Sequence, residues 1–506
     1  MKKLFFILLL IAIGMQFVNA QPTIQWEKSL GGSNAEWAYD IQQTIDGGYV
    51  VCGVSGSSDG DVSVNKGNGD FWVVKLDANG TIEWQKTYGG SADEWAYSIS
   101  QTINGGYIVS GFSNSNDGDA TINKGLSDCW IIKLDSLGNL EWQKSFGGSA
   151  GENANSIKQT IDGGYIFAGF SGSLNGDITG HHGGVTFSDF WVVKIDVSGV
   201  IEWEKSYGGT SYEYASDIQL NQDGGYMVVG KARSTDGDVT NNNGGEDYWL
   251  IKIDSLGNLL WQKNYGGSGN DIPNSVQPTM DGGYILAGTS NSTDGDITGV
   301  NNGGIDGWIV KTDSIGGIVW EKLYGGTLND NVNSAQQTAN GDYVFSGSSS
   351  TGNGDVWVVD IDTIGIVKWQ QTYGGSSFDY AYSISQTTDN GFIVCGGSTS
   401  LDGDVTGNHG LDDFWVVKLN PYTGMDELIT EQEINVYPNP TNGIFTINTQ
   451  LNEGYIEVYD LVSKKVITEK IKGKNTIINL QSTKKGIYLI KVISGNTVVT
   501  QKIVYQ

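Results

Sequence analysis

Acidic side chains recur at one fixed place in a repeat that runs through most of this 506-residue chain. Each copy contains a segment of the form GG(S/T)xx(E/D), and the seven acids are Glu36, Glu94, Glu152, Glu213, Asp271, Asp330 and Asp379. Seven carboxylates around a common opening would bind cations or cationic ligands, so we predict a ligand site at these residues. The alternative is structural, because an acid in a turn can accept hydrogen bonds from nearby backbone N–H groups. A structural role would require the acid in every copy, as observed.

A second set of acids lies in a longer loop of the repeat. This loop contains an Asp-Gly-Asp segment and, further along, a third Asp that stands two residues before a Trp. The candidate calcium ligands in three copies are Asp59, Asp61, Asp70, Asp117, Asp119, Asp128, Asp236, Asp238 and Asp247. Clustered carboxylate oxygens suit calcium, and we predict no other cofactor. The spacing is not that of an EF-hand, and Asp is common in loops, so a purely structural role stays open.

Residues suited to catalysis are few. The chain has a single arginine, Arg233, whereas sialidase-type sites need several to hold a carboxylate. Its three histidines, His181, His182 and His409, all lie in repeat loops. The carboxylates are so numerous that no glycosidase pair stands out. The sequence therefore favours a non-catalytic binding protein over the alternative, a carbohydrate-active enzyme that uses the carboxylates at the central opening.

The charge of the chain restricts its partners. Its formal net charge is −28, with 57 acidic and 29 basic residues. Such a surface disfavours nucleic acid and anionic membranes, and it suits cations, neutral glycans or basic proteins, although solubility alone would also explain it.

The three cysteines make an odd count and lie beside apolar residues, which predicts buried thiols rather than disulfides. We expect a monomer.

Tryptophan spacing defines the repeat. One series comprises Trp26, Trp84, Trp142, Trp203, Trp261, Trp320 and Trp369, and the other Trp72, Trp130, Trp191, Trp249, Trp308, Trp357 and Trp415. Within each series, successive members lie 49 to 61 residues apart. The remaining two tryptophans, Trp37 and Trp95, fall outside both series. Seven members in each series predict seven copies of one structural unit.

Each unit reads as four short strands. In the first unit they are predicted at 40–44, 49–53, 71–77 and 82–88, with Asp-Gly and Asn-Gly turns between β-rich runs. Such a unit buries both faces of its sheet only by stacking on its neighbours, as the blades of a propeller do. The chain opens with a lone fourth strand at 23–29, and the last unit ends after a third strand at 414–420. We therefore predict an all-β fold, a seven-bladed β-propeller closed by its N-terminal strand.

The repeat resembles the bacterial seven-bladed β-propeller repeat family. The hairpin KLDANGTIEWQKTYGG also resembles the tryptophan-docking motif of quinoprotein-type propellers, with Asp77, Gly80 and Trp84 in the matching places. The resemblance covers residues 23 to about 420 and implies that each such Trp packs between neighbouring blades. It implies a fold and no particular activity.

The C-terminal segment resembles the type IX secretion C-terminal sorting domain, a small β-sandwich. The matching residues are Pro438, Asn439, Pro440, Gly443, Asp460, Gly486, Ile487, Tyr488, Lys502, Ile503 and Val504. The resemblance implies a Bacteroidetes-like protein that the type IX machinery exports, with release or attachment at the cell surface.

The chain is therefore expected to contain four segments. Residues 1–20 carry two lysines, an apolar run and small residues at the cleavage point, which predicts a signal peptide. Residues 21–420 form the propeller, 421–433 the linker and 434–506 the sorting domain. No later stretch of the sequence predicts a membrane-spanning helix, so we expect a secreted or outer-membrane surface protein without membrane insertion.

Overall fold

The computed structural model describes residues 21–184, 186–350, 354–421, 435–449, 454–460, 464–494 and 497–506. One compact unit spans Gln21–Tyr422, and the described residues after it belong to a second. The predicted signal peptide lies outside the described residues, as does all of the predicted linker except Pro421. Every regular element in the described part of the chain is a β-strand, so no helix there could span a membrane.

The first unit consists of seven four-stranded antiparallel sheets. Its strands are β1 (Ile24–Leu30), β2 (Glu36–Gln43), β3 (Tyr49–Ser55), β4 (Asp70–Leu76), β5 (Ile82–Tyr88), β6 (Glu94–Gln101), β7 (Tyr107–Ser113), β8 (Asp128–Leu134), β9 (Leu140–Phe146), β10 (Glu152–Gln159), β11 (Tyr165–Ser171), β12 (Asp189–Ile195), β13 (Ile201–Tyr207), β14 (Glu213–Leu220), β15 (Tyr226–Ala232), β16 (Asp247–Ile253), β17 (Leu259–Tyr265), β18 (Asp271–Pro278), β19 (Tyr284–Ser290), β20 (Asp306–Thr312), β21 (Ile318–Tyr324), β22 (Asp330–Gln337), β23 (Tyr343–Ser349), β24 (Asp355–Ile361), β25 (Val367–Tyr373), β26 (Asp379–Gln386), β27 (Phe392–Ser398) and β28 (Asp413–Leu419). Strands β2 to β25 form six sheets of four consecutive strands each, and β26, β27 and β28 form the seventh with β1. These repeated sheets resemble propeller blades.

The N-terminal strand pairs with the last strand of the same unit. Strand β1 is antiparallel to β28, with Glu27 opposite Val417 and Leu30 opposite Phe414. Strand β2 of the following sheet also contacts β26 and β27. The seventh sheet therefore takes its fourth strand from the opposite end of the unit, and its third strand has a hydrogen-bonded partner on each side.

The first strand of each sheet differs from the sequence-based expectation. The structure begins β2 at Glu36, four residues before the predicted start at Asp40, because a β-bulge interrupts the alternation of buried and exposed residues. The fourth strand matches its prediction at Ile82–Tyr88. The seven strands β2, β6, β10, β14, β18, β22 and β26 are called the first strands below.

Neighbouring sheets meet through aromatic and branched side chains, and each contact between successive sheets is called a seam. At the seam of the seventh and first sheets, Trp72 packs on Phe414 with ring centroids 4.5 Å apart. At the same seam, Trp26 donates a hydrogen bond to the Ala78 carbonyl at 3.2 Å, and a Cβ on Gly80 would lie 2.8 Å from its ring. Burying a large side chain contributes about 2 kcal/mol, so the seams hold the sheets together. The three cysteines are buried and unpaired, as predicted.

The second unit contains two sheets around one core. Its strands are β29 (Asn435–Tyr437), β30 (Ile444–Asn448), β31 (Tyr455–Tyr459), β32 (Lys465–Lys470), β33 (Asn475–Asn479), β34 (Gly486–Ser494) and β35 (Thr497–Tyr505). Strands β29, β30 and β33 form one sheet, and β32, β31, β34 and β35 form the other. Side chains from both sheets, including Phe445, Ile478, Ile456 and Ile490, bury each other, which is the arrangement of a small β-sandwich.

Candidate functional site

The seven recurring acids stand at the start of the first strands, and their side chains are buried. Glu36 accepts a hydrogen bond from the Gly32 N–H at 2.8 Å and another from the Ser55 hydroxyl at 2.8 Å. In the other units the backbone N–H four residues before the acid donates the same hydrogen bond, to Glu94, Glu152, Glu213, Asp271, Asp330 and Asp379. Burial raises the pKa of Glu36, and the Gly32 N–H opposes the increase. These carboxyls hold their own loops, and in this arrangement a ligand in solvent does not reach them.

The predicted calcium ligands of one unit do not come together. Asp59 accepts from the Ser33 N–H at 2.7 Å and Asp61 from the Gly31 N–H at 3.2 Å. The same bonds are made by Asp117 and Asp119, and by Asp236 and Asp238. Asp70 lies instead at the seam to the next sheet. In the described parts of the chain, no three His, Cys, Asp or Glu side chains are placed to hold a metal ion.

The Asp that begins each third strand faces a second carboxyl across the seam. A Cβ on Gly89 would lie 2.4 Å from Asp70 Oδ1 and 2.6 Å from Glu94 Oε2, so both oxygens border the same small space. Within the described residues, a buried Oδ1 without a hydrogen-bond partner occurs at all seven seams, in Asp70, Asp128, Asp189, Asp247, Asp306, Asp355 and Asp413. Burial, with the nearby Glu94 charge, raises the pKa of Asp70 to about 6. Burial likewise raises the pKa of Asp247 to about 7.

The histidine loops also meet this arrangement. His182 Nδ1 lies 2.9 Å from Asp189 Oδ2, and His409 Nδ1 lies 2.8 Å from Asp413 Oδ2. The His181 side chain is buried beside Asp189, so it is not exposed to solvent as a side chain of an open loop would be. These histidines therefore belong to two of the seams.

The fourth residue of every first strand sits in a β-bulge. In the first sheet Ala38 pairs with Gly53 and Asp40 with Cys52, so Tyr39 between them has no partner across the ladder. The same shift occurs at the fourth residue of the other six first strands. A bulge inserts an extra residue and turns its side chain to a new direction. Glycine opposite the bulge is required, since a Cβ on Gly53 would lie 1.9 Å from the Trp37 carbonyl oxygen.

The seven bulge residues surround one cavity, here called the inner cavity. Its lining consists of Tyr39, Tyr97, Asn155, Ser216, Asn274, Asn333 and Tyr382, one residue from each sheet, and its volume is about 250 Å³. The same residues border a more polar space of about 410 Å³, which also includes Asp40, Asp217 and Lys158. Recurring backbone geometry therefore brings together side chains that lie far apart in sequence.

The inner cavity has an aromatic side. Tyr382, Tyr39 and Tyr97 come from neighbouring sheets, and the ring of Tyr39 lies 4.8 Å from that of Tyr382 and 5.0 Å from that of Tyr97. Trp37 and Trp95 are not among the lining residues but pack beside this group, with their ring centroids 5.4 Å apart and Trp95 stacked on Tyr39 at 6.3 Å. All five rings are half-buried. We call these five residues the aromatic side.

The opposite wall, called the amide side, consists of Asn155, Ser216, Asn274 and Asn333. Asn155 donates from Nδ2 to the Ala215 carbonyl at 2.7 Å, and Asn333 donates to the Ala381 carbonyl at 2.7 Å. Each of these bonds reaches the next first strand. The amides are therefore held in one orientation, and their remaining polar capacity is preorganised for a ligand.

Two acids that line the larger polar space, Asp40 and Asp217, form hydrogen bonds between neighbouring first strands. Asp40 accepts from the Ile99 N–H at 3.0 Å and from the Ser98 and Ser383 hydroxyls at 3.2 Å each. Burial raises the pKa of Asp40, and the charge of Lys158 opposes the increase. Asp217 accepts from the Ser156 hydroxyl at 2.8 Å. Sequence reasoning assigned no role to these acids, and they bond to the neighbouring first strands.

The sequence analysis likewise assigned no role to the aromatic side. The signal was present, because Trp37 and Trp95 are the two tryptophans outside the repeating series. The position of the tyrosines could not be inferred, since the bulge that directs them into the cavity is not visible in the hydrophobic alternation.

Comparison with known proteins identifies the C-terminal unit. Residues 435–506 match the family of secretion system C-terminal sorting domains. The match indicates sorting by the type IX secretion machinery, and so export to the cell surface or secretion. It covers only the end of the chain and does not extend to the seven sheets.

Similarity elsewhere is weak. Regulatory protein FlaEY of Caulobacter vibrioides is 24% identical over 232 residues, which are 42% of this chain and 24% of that protein, so the chain spans about a quarter of this curated relative. The extracellular domain of a hybrid two-component system from B. thetaiotaomicron is 11% identical with a TM-score of 0.42, covering 94% of this chain and 57% of that chain. The Pan2 WD40 domain of Neurospora crassa is 10% identical with a TM-score of 0.43, and the match covers 77% of this chain and 95% of that chain. PorZ of Porphyromonas gingivalis is 10% identical with a TM-score of 0.25, and the match covers 93% of this chain and 81% of that chain.

Proposed function

We propose that this chain is an exported, non-catalytic binding protein whose seven sheets are the blades of one closed β-propeller. Two observations support closure. Strand β1 completes the sheet of β26 to β28, and strand β2 contacts β26 and β27 of that sheet. The inner cavity takes one lining residue from each of the seven sheets, as the axis of a propeller would.

The inner cavity is the proposed binding site, and its broken symmetry carries the proposal. The seven acids and their hydrogen bonds recur in every unit, as a structural role requires. The bulge residues share one backbone geometry but are Tyr in three units and Asn or Ser in four. A concave site with aromatic rings on one wall and fixed polar groups on the other can orient a ligand.

The proposed route to the cell exterior uses both ends of the chain. Residues 1–20 direct export across the inner membrane, and the C-terminal domain engages the type IX machinery. The protein is then released or attached at the surface as a monomer, where it meets an extracellular ligand. Its acidic charge argues against nucleic acid and anionic membranes as partners.

Truncation after Glu433 tests this route. We expect the shortened protein to fold and to accumulate in the periplasm, whereas the full chain reaches the surface or the medium. Cell fractionation with a periplasmic marker measures the difference. Normal appearance of the truncated protein in the medium would refute the sorting role.

Calcium is a second proposal, located at the seams rather than within one loop. A buried, unpartnered carboxyl oxygen beside a second carboxyl must be compensated by a proton or a cation. Asp70 Oδ1 and Glu94 Oε2 border such a space, so a cation there would have two carboxylate oxygens and would complete its shell with carbonyl or water oxygens. Carboxylate and carbonyl oxygens are the ligands that calcium prefers.

The binding proposal is tested with the mature full-length protein immobilised on a surface. Neutral polysaccharides, basic proteins and cationic peptides are passed over it and over a Tyr39→Asn/Tyr97→Asn variant, which changes two lining residues. We expect retention by the natural protein, loss in this variant, and no shortened products. The matched control replaces the exposed Ile45 and Ile103 by alanine. Retention that survives loss of both tyrosines would contradict this site, and product formation would establish the enzymatic alternative.

A further inference from the structure

The aromatic side offers flat apolar faces rather than an empty cage. The Tyr39 ring lies within 5.0 Å of both the Tyr97 and Tyr382 rings, so these rings pack on one another. A cation is held by aromatic rings when it sits over a ring face within about 6 Å of the centroid, usually with several rings around it. Rings already in mutual contact leave little space for a cation between them. Because the Tyr39 ring is tilted by 60° to the Tyr97 ring and by 45° to the Tyr382 ring, the platform they form is angular, and a ligand would stack on one ring face of it.

The amide side offers what a hydroxylated ligand needs opposite such a platform. Its amide and hydroxyl groups include both donors and acceptors, and the bonds from Asn155 and Ser216 to the next first strand fix their positions. The inner cavity, at about 250 Å³, is smaller than a typical drug-sized pocket of roughly 300–1,000 Å³. Its size suits a single ring rather than a long chain.

The charges around the cavity favour an uncharged ligand. The basic residue among the described lining residues is Lys158, and the buried Asp40 lies close enough to feel its charge. Asp40 also accepts hydrogen bonds from the Ser98 and Ser383 hydroxyls and from the Ile99 N–H. The described lining therefore offers no cluster of basic groups for a carboxylate or sulfate. Its second acid, Asp217, also has hydrogen-bond donors, the Ser156 hydroxyl at 2.8 Å and the Val276 N–H at 3.1 Å.

We propose that the inner cavity binds the terminal pyranose ring of a neutral carbohydrate. The C–H face of the sugar stacks on the aromatic side, because its weakly positive hydrogens meet the negative faces of the rings. The hydroxyls on the opposite edge bond to Asn155, Ser216, Asn274 and Asn333. This inference rests on the proposed binding function and names the class of its ligand.

The test uses the mature full-length protein on an array of neutral glycans that presents each common pyranose at its non-reducing end, with tetramethylammonium and uronic-acid glycans as charged probes. Glycans that bind are then titrated calorimetrically. The key variant is Tyr97→Asn, which places on the aromatic side the residue that three other units carry at the same bulge. We expect Tyr97→Asn to weaken neutral-glycan binding at least tenfold. Tyr97→Phe keeps the ring and should bind within about threefold of the natural protein.

Two further results separate this inference from the proposed function. Binding of tetramethylammonium or uronic-acid glycans at the inner cavity, without neutral glycans, would overturn the carbohydrate inference and leave the binding function standing. No binding of any neutral glycan on the array would also overturn it. Neutral-glycan binding that Tyr97→Asn and Trp95→Ala leave unchanged would overturn both, because the ligand would then sit elsewhere.

Discussion

The seams and the inner cavity are built from the same seven repeats, yet they use repetition differently. At the seams, every unit supplies an acid at the start of its first strand and an Asp at the start of its third. At the inner cavity, every unit supplies the same bulge, but the side chains differ from one half to the other. Equivalent seams have equivalent structural needs, so their residues recur. A ligand is not sevenfold symmetric, so the proposed site lies where the repeats diverge.

Removing the N-terminal strand should have the largest effect on this arrangement. Deleting residues 21–30 takes the hydrogen-bonded partner from β28 and exposes the surface that Leu30 buries. We expect the free energy of unfolding to fall by about 4 kcal/mol or more, with aggregation through the free strand edge. Urea unfolding and light scattering of the full chain and the deletion measure both. Equal stability would show that the seventh sheet does not need β1.

The bulge itself is the next most sensitive feature. A Cβ on Gly111 would lie 1.8 Å from the Trp95 carbonyl oxygen, so Gly111→Ala must displace backbone. We expect a loss of about 3 kcal/mol in unfolding free energy. Gly184→Ala is the control, because a Cβ there meets open space, and it should change stability by less than about 0.5 kcal/mol. Similar losses at both positions would argue against a strained close approach.

The seam acids should make stability depend on pH. The pKa of Asp70 is raised from 3.8 to about 6, so between these pH values the folded protein holds a proton that the unfolded chain releases. Its contribution is therefore full below about pH 4 and is lost as pH rises through about 6. Asp70→Asn removes this titration, so its unfolding free energy should rise relative to the natural protein between about pH 4 and pH 6. A constant difference across that range would exclude a proton held by Asp70 at this seam.

Thermal unfolding at pH 8, with and without calcium, tests whether the seams bind a cation. A cation at the seams would raise the unfolding temperature relative to chelator at matched ionic strength, since a ligand of the folded state stabilises it by mass action. Asp70→Asn and Asp128→Asn together should then reduce the response. Identical melting curves with calcium and with chelator would remove the calcium proposal.

The sequence predicted the repeated four-stranded units because strand and turn signals recur with the tryptophans. It misplaced the start of β2, because the bulge at Tyr39 breaks the period-2 pattern that marks a strand. The structural alternative for the recurring acids anticipated a bond such as that from the Gly32 N–H to Glu36, but the burial of Glu36 was not apparent, since an acid in a glycine-rich loop looks exposed. The cavity required three-dimensional information, because its lining residues come from seven separate strands.

The most direct test measures stability and ligand retention on two matched variants. Tyr39→Asn places at one bulge the residue found at Asn155, Asn274 and Asn333, whereas Glu94→Ala removes the acceptor for the Gly90 N–H at a seam. The account predicts that Tyr39→Asn lowers the unfolding free energy by about 2 kcal/mol, because its ring contacts three others, and weakens glycan binding by the folded protein at least tenfold. Glu94→Ala should lower stability by about 2 kcal/mol and leave the affinity of the folded protein unchanged. If instead Glu94→Ala abolished binding while Tyr39→Asn retained it, the recurring acids would be the site and the account would be wrong.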